Sequence, residues 1–133
     1  SSSYGGNPMA CAAALACLEI MEEENINERV THLGELFNTR MEKMKAEHPI
    51  IGDVRGKGCL LGIELVKDKA TKEPLDIAGK MVYQKAFEKG LAWIPAGHIL
   101  RMSPPLIMED DMAMKGMDMI DEAIFETEKE LGY

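Results

Sequence analysis

Ile51-Gly52-Asp53-Val54-Arg55-Gly56-Lys57-Gly58-Cys59-Leu60-Leu61-Gly62-Ile63-Glu64-Leu65-Val66 is the most clearly β-patterned stretch in a chain that otherwise reads as mostly helical. Gly56 and Gly58 bracket Lys57 where a reversal needs unusual backbone angles, and the residues beyond alternate, with Cys59, Leu61, Ile63 and Leu65 on one face. The stretch is read as a strand pair, the spine of a small sheet. A glycine cluster can also be a phosphate cradle, but cradles place a helix directly after the glycines so that its free N–H groups face the anion. Here β-patterned residues follow, which favours a bent or bulged strand pair.

Upstream, Asn7-Pro8 is a strong helix start, with Asn7 as cap and Pro8 at the first helical position, and the helix should run to about Glu24. From Met9 to Leu18 it is apolar nearly all round, whereas a surface helix shows a polar face. Something outside it should cover it, at a domain or subunit interface. The chain opens on Ser1-Ser2-Ser3-Tyr4 without an initiator methionine and reads as the interior of a longer protein. A second helix, capped by Asn27 and ending at His48-Pro49, carries Val30, Leu33, Phe37, Met41 and Met44 at three- and four-residue steps.

Downstream, Lys67 to Pro74 reads as an exposed loop and Asp76 to Lys89 as a helix with Ile77, Met81, Val82 and Ala86 inward and Gly90 as its stop. Leu91 to Ile94 and Ile99 to Met102 read as short strands, and Ser103-Pro104-Pro105 breaks regular structure. Glu109, Asp110 and Asp111 suit the first turn of a last helix reaching about Leu131, carried by Met112, Met119, Ile120, Ala123 and Ile124. The expected fold is α+β: a small, sandwich-like domain with a three- to four-stranded, mainly antiparallel sheet covered by helices.

The chain has 133 residues, enough for one domain with a real core. Its net charge of -8, from 23 acidic and 15 basic residues, argues against nucleic acid and against an anionic membrane surface. No apolar run approaches a membrane span, so a soluble, cytoplasmic protein is expected. Cys11, Cys17 and Cys59 form no disulfide framework, and His32, His48 and His98 lack zinc spacing, so no metal is expected. The eleven methionines, at helical spacing and with few aromatics, read as core filler.

Two places hold candidate chemistry. Ser3, Tyr4, Gly5 and Gly6 stand just before a helix N-terminus, where a hydroxyl and backbone N–H groups hold a phosphate, although a fraying chain end explains the same residues. Arg101, alone in an apolar strand, needs a carboxylate partner, either a structural Glu or Asp or a ligand. No catalytic residue set is evident, because no serine, cysteine or carboxylate is paired for acid–base or nucleophilic work.

Three segments, Ser3-Tyr4-Gly5-Gly6-Asn7-Pro8-Met9-Ala10-Cys11-Ala12-Ala13-Ala14, Gly52-Asp53-Val54-Arg55-Gly56-Lys57-Gly58 through Gly62-Ile63-Glu64-Leu65, and Leu100-Arg101-Met102-Ser103-Pro104-Pro105-Leu106, stand in a telling order and spacing. Together they resemble the carboxy-terminal third of class III aminotransferases, the pyridoxal-phosphate group that includes ornithine, acetylornithine, 4-aminobutyrate and taurine transaminases. The likeness covers essentially the whole chain. It implies the carboxy-terminal domain of a fold-type I enzyme, with residues 1–25 as the end of the large cofactor domain and the linking helix, and 26–133 as the small domain. It implies a homodimer that moves an amino group from an amine or ω-amino acid donor to a 2-oxo acid acceptor. Ser3, with Tyr4, falls where the family contacts the cofactor phosphate across the dimer interface, Ser3 standing for a threonine. Arg101 falls on the arginine that grips the substrate carboxylate or pairs with a glutamate that swings aside, and Arg55 is expected to be structural. The family's cofactor-linking lysine and the acid at the pyridine nitrogen match nothing here, so these residues alone should be inactive. Epimerases, mutases and a decarboxylase share the family, and a non-catalytic binding or dimerisation module is the rival from another class.

Overall fold

The central hairpin forms as its pattern requires. In the computed structural model, which describes residues 3–133, β1 (Ile51–Lys57) and β2 (Leu60–Leu65) pair antiparallel and close at Lys57↔Leu60, leaving Gly58-Cys59 as a two-residue loop. Gly58 has φ +55° and Cys59 does not share a positive φ, the type II′ pattern in which glycine takes the first central position. Leu61, Ile63 and Leu65 are buried together, as their alternation requires. The register shifts between Ile51 and Asp53, a bulge at Gly52, where a Cβ would strike Val66.

β3 (Ile99–Met102) pairs antiparallel with β2, and the sheet order is β1-β2-β3. The fold is α+β with a three-stranded antiparallel sheet. Leu91 to Ile94 is not the fourth strand that its composition suggests. The helix before it ends in a Schellman motif: Gly90 has φ +95° and donates to Phe87 O at 3.0 Å, and Leu91 donates to Ala86 O at 2.9 Å. Leu91 is thereby spent on capping, and Pro95 has no N–H to offer a ladder.

Helix α1 (Pro8–Glu23) starts as expected, with Asn7 Oδ1 accepting from the Met9 and Ala10 N–H groups at 2.9 and 3.3 Å. None of its residues is buried, and α2 is the one element it packs against. Ser1 and Ser2, at the start of the expected 1–25 segment, lie outside the described residues. The residue at the cap position of helix α2 (Ile26–Glu47) is Asn25, in the left-handed region with φ 49° and with no side-chain capping bond among the described residues, and not Asn27, which lies inside the helix. Only a two-residue link, Glu24-Asn25, separates the helices, and its sharp reversal needs the left-handed residue that Asn tolerates.

Leu33, Phe37, Met41 and Met44 of α2 are buried against the sheet. Helix α3 (Asp76–Glu88) turns Ala78, Gly79, Val82 and Ala86 inward, while Ile77 is 54% exposed. A Cβ on Gly79 would sit 1.8 Å from Gly97 O, so small residues are on this face because the turn before β3 lies directly on it. Helix α4 (Asp110–Leu131) buries Ala113, Met117, Ile120, Ala123 and Ile124, and leaves Met112 exposed, contrary to the spacing argument. Helices α2 and α3 pack on the face of the sheet that carries Leu61, Ile63 and Leu65, and α4 packs on α2 and α3.

Candidate functional site

On the other face of the sheet, the register aligns Arg55, Gly62 and Arg101 in one cross-strand row. Two strand spacings put the two arginine Cα atoms about 10 Å apart with no side chain between them. Arg55 is engaged: it donates to Asp53 Oδ2 and Glu64 Oε2, both at 3.1 Å. Lys45 also holds Asp53, and although partial burial pushes that carboxyl up, these cations keep it below the ordinary aspartate range. Arg101 differs from Arg55. It is exposed on an edge strand and makes no ion pair among the described residues. The structural carboxylate partner that the sequence leaves open for it is not present there.

Arg101 lines a cavity of about 650 Å³ between β3, the segment from Lys89 to Ile94, and the N-terminal half of α4. Met102, Met112, Met117, Trp93 and Ile120 supply apolar wall, and Lys89 and Lys115 are its other charged residues. Trp93 packs edge-on to Tyr83, centroids 5.4 Å apart, and its indole N–H is buried without a partner among the described residues. Neither Lys115 nor Trp93 stands out in the sequence as a site residue. Trp93 sits in an ordinary strand pattern, and only the failure of that strand turns it into wall.

Ser3 and Tyr4 do not line this cavity. They stand in an exposed turn where Asn7 N–H donates to Tyr4 O at 3.2 Å and Gly6 has φ +79°. The α1 terminus is not the anion cup that its position suggests. Pro8 has no N–H, the Met9 and Ala10 N–H groups are taken by Asn7, and Cys11 N–H is bonded to Asn7 O at 2.9 Å. The Ser3 hydroxyl stands exposed in this turn.

Cys59 adds no nucleophile. Cys59 is buried, and that burial pushes its thiol up against the opposing pull of Arg29, so it stays protonated and inert. A cluster that sequence reasoning missed lies at the other end of α2. His48 Nδ1 is 2.8 Å from Glu128 Oε2 and its Nε2 is 2.7 Å from Asp121 Oδ1, while Arg40 reaches Asp118 at 2.9 Å and Asp121 at 2.7 Å. The signal was Asp121 and Glu128 seven apart on one helix, hence on one face. With His48 and Glu128 both buried, the cluster pins the α2–β1 corner to α4.

A family model described as aminotransferase class-III matches residues 1–124. Adenosylmethionine-8-amino-7-oxononanoate aminotransferase of Methanocaldococcus jannaschii is 43% identical over 130 residues, spanning 95% of this chain and 28% of that protein. Leucine/methionine racemase of Thermococcus litoralis is 43% identical over 126 residues, spanning 93% of this chain and 28% of the racemase. Among solved structures, a Bacillus anthracis aminotransferase superposes with a TM-score of 0.86 at 41% identity, over 94% of this chain and 30% of that one. The chain thus spans less than a third of the length of these relatives.

Proposed function

Because the chain belongs to the class-III aminotransferase family, we propose that it is the carboxy-terminal part of a pyridoxal-phosphate enzyme that moves an amino group from an amine or ω-amino acid to a 2-oxo acid. The observation that carries its share of the work is Arg101: a guanidinium with no counter-ion among the described residues, at a cavity, in a chain of net charge -8. Its planar fork binds a substrate carboxylate through two parallel hydrogen bonds and so orients the substrate. Ser3, beside Tyr4, donates its hydroxyl to the cofactor phosphate. When bound, pyridoxal phosphate supplies the electron sink for bond cleavage at the amino-bearing carbon.

The burial pattern supports a boundary between the segments 1–25 and 26–133. Every apolar residue of α1 is unburied, with Met9 82% and Leu15 60% exposed, and the core begins at Ile26. The bare helix is the face laid against the large cofactor domain and a second subunit, in a cytoplasmic homodimer. No helix of the described residues is long and apolar enough to cross a membrane.

Racemisation is the second reading, favoured by the leucine/methionine racemase and by an alanine/serine racemase of Pyrococcus horikoshii that is 40% identical over 125 residues. Product analysis separates the two. The intact protein, loaded with pyridoxal phosphate and given an amino donor, should form a new amino acid only when a 2-oxo acid is added. D-amino acid appearing from the L-form without any oxo acid selects racemisation. An intact protein that binds no pyridoxal phosphate leaves the non-catalytic module. Losing a charge-assisted carboxylate contact worth about 1.5–3 kcal/mol, Arg101→Gln should raise KM roughly 10- to 100-fold.

A further inference from the structure

The turn before β3 is a hairpin turn whose first arm stops short. Ile99 N–H donates to Ala96 O at 3.2 Å across Gly97-His98, and Ala96 and Ile99 form an isolated antiparallel bridge. Gly97 has φ +60° and His98 does not share a positive φ, the same type II′ pattern by which the Gly58-Cys59 loop joins β1 to β2. Away from the bridge the arm leaves β3. Ala92, Trp93 and Ile94 make no backbone hydrogen bond among the described residues, and β3 is the outer strand of the sheet.

Register dictates what the arm would meet. Antiparallel pairing from Ala96↔Ile99 continues through Pro95↔Leu100, Ile94↔Arg101 and Trp93↔Met102. Leu65 N–H donates to His98 O, so by alternation Leu100 and Met102 turn their backbone groups to β2, while Ile99 and Arg101 turn theirs to the free edge. Pro95 thus falls opposite Leu100, where the ladder calls for no N–H, with its nitrogen toward solvent as an edge-strand proline requires. Ile94 precedes a proline and so favours extended backbone. The faces agree too: Leu91 and Trp93 are half-buried, Ala92 and Ile94 are exposed, and the register sets Trp93 beside buried Met102.

We propose that residues 92–94 are a strap that closes on the free edge of β3, Ile94 and Arg101 exchanging both backbone hydrogen bonds and the Trp93 indole moving from the wall of the cavity into it. In the open arrangement Trp93 is held edge-on to Tyr83, and its indole N–H is buried without a partner among the described residues. An unsatisfied buried donor on the strap and a row of unpaired groups on the edge both favour closure. The Schellman bonds of Gly90 and Leu91 lie before the strap and stay in place. A closed strap and a filled cavity exclude one another, because Trp93 and Gly116 line the same space.

The experiment is amide hydrogen exchange of the 133-residue chain read by nuclear magnetic resonance, in wild type, Ile94→Pro and Gly116→Leu. Ile94→Pro removes a ladder donor that the open arrangement leaves unused. Gly116→Leu fills the cavity without displacing backbone, since a Cβ there meets nothing nearer than Leu91 Cδ1 at 4.0 Å. In wild type the Ile94 and Arg101 amides should exchange at least about tenfold more slowly than unpaired amides, which corresponds to a strap closed about nine times in ten. The α-protons of Trp93 and Met102 should show a cross-strand contact. In both variants the Arg101 amide should speed up about tenfold, while the Ile99 amide, bonded within the turn, stays slow. An Arg101 amide that exchanges freely in wild type overturns the proposal, and so does slowing that survives either substitution. Closure needs no cofactor, so its failure leaves the aminotransferase reading untouched.

Discussion

Gly79→Ala is the substitution that probes most directly how the fold positions Arg101. The added Cβ would lie 1.8 Å from Gly97 O and 2.8 Å from Gly97 C, against backbone rather than a flexible side chain. A tolerable carbon–oxygen approach is about 3.3 Å, so α3 and the turn must separate by roughly 1.5 Å. That turn is also tied to α3 by Asp76, whose Oδ1 accepts from the His98 N–H at 3.1 Å, and it feeds straight into β3. Overpacking of this kind costs about 3 kcal/mol, from which the helix propensity gained by replacing glycine recovers about 1 kcal/mol. The expected net loss is about 2 kcal/mol. Gly116→Ala is the control: it has the same chemistry in a helix, but its Cβ finds no atom nearer than 4.0 Å, so it should gain about 0.5–1 kcal/mol. Urea unfolding followed by far-ultraviolet circular dichroism measures both, and with a slope of about 2 kcal/mol per molar the Gly79→Ala midpoint should fall by about 1 M. A Gly79→Ala midpoint at or above wild type would refute the close approach, and with it the account of what holds β3 in place.

His48→Ala should destabilise by about 3 kcal/mol in the same assay, because it leaves Glu128 buried without its ring partner; Glu128→Gln, which keeps an acceptor for the Ile50 N–H, should cost less. A His48→Ala midpoint indistinguishable from wild type would mean the cluster is idle. Acid should unfold the protein gradually. His32 and then Arg29 hold the Asp110 carboxyl below its ordinary 3.8, and Lys89 holds Glu126 below its ordinary 4.5. Carboxylates held low in the folded state contribute stability that is complete above those ordinary values and is lost as pH falls through the lower folded ones. Urea midpoints should therefore be flat between pH 6 and about 5 and decline below about pH 4, and added salt should shrink the decline, since these pairs are largely exposed. A midpoint that rises on acidification contradicts the assignment.

The hairpin, the Asn7 cap, the boundaries of α3 and α4, and the alternation that buries Leu61, Ile63 and Leu65 were all legible, because local chemistry determines each of them. What escaped was set by contacts distant in sequence. Ile77 and Met81 look like the inward face of α3, but the turn at Gly97 presses on Gly79, which rotates small residues inward and leaves Ile77 in solvent. Leu91 to Ile94 carries strand composition, yet the Schellman motif takes Leu91 before any ladder forms. Asn27 has the right chemistry for a cap, but the two-residue link after α1 moves the helix start two positions upstream. Arg101 was legible as an anomaly in an apolar strand, whereas its cavity was not, because Lys115 and Trp93 reach it from elements that no pattern pairs. The Asn7 side chain, legible as a cap, also takes the Met9 and Ala10 N–H groups, so the terminus has little left for a phosphate.

The division at residue 25 makes its own prediction. Helix α1 buries none of its residues, and its tie to the rest is packing on α2 through a two-residue link. The core cluster, from Leu33 to Ile124, includes no residue of α1. Removing residues 1–24 should therefore leave the unfolding free energy of the remaining chain within about 0.5 kcal/mol of the longer one, the range expected where no core contact, cap or charge pair is lost. It should also reduce self-association, because Met9, Leu15, Leu18 and Ile20, each at least half exposed, form the largest unpartnered apolar stretch on a helix here. Sedimentation of both chains at matched concentrations reads the second effect and urea unfolding the first. If the truncated chain unfolds, α1 is part of the small domain's core and the boundary is wrong. If it folds but associates as strongly as before, the boundary stands and the sticky surface lies elsewhere, at the open sheet face or the cavity beside Arg101.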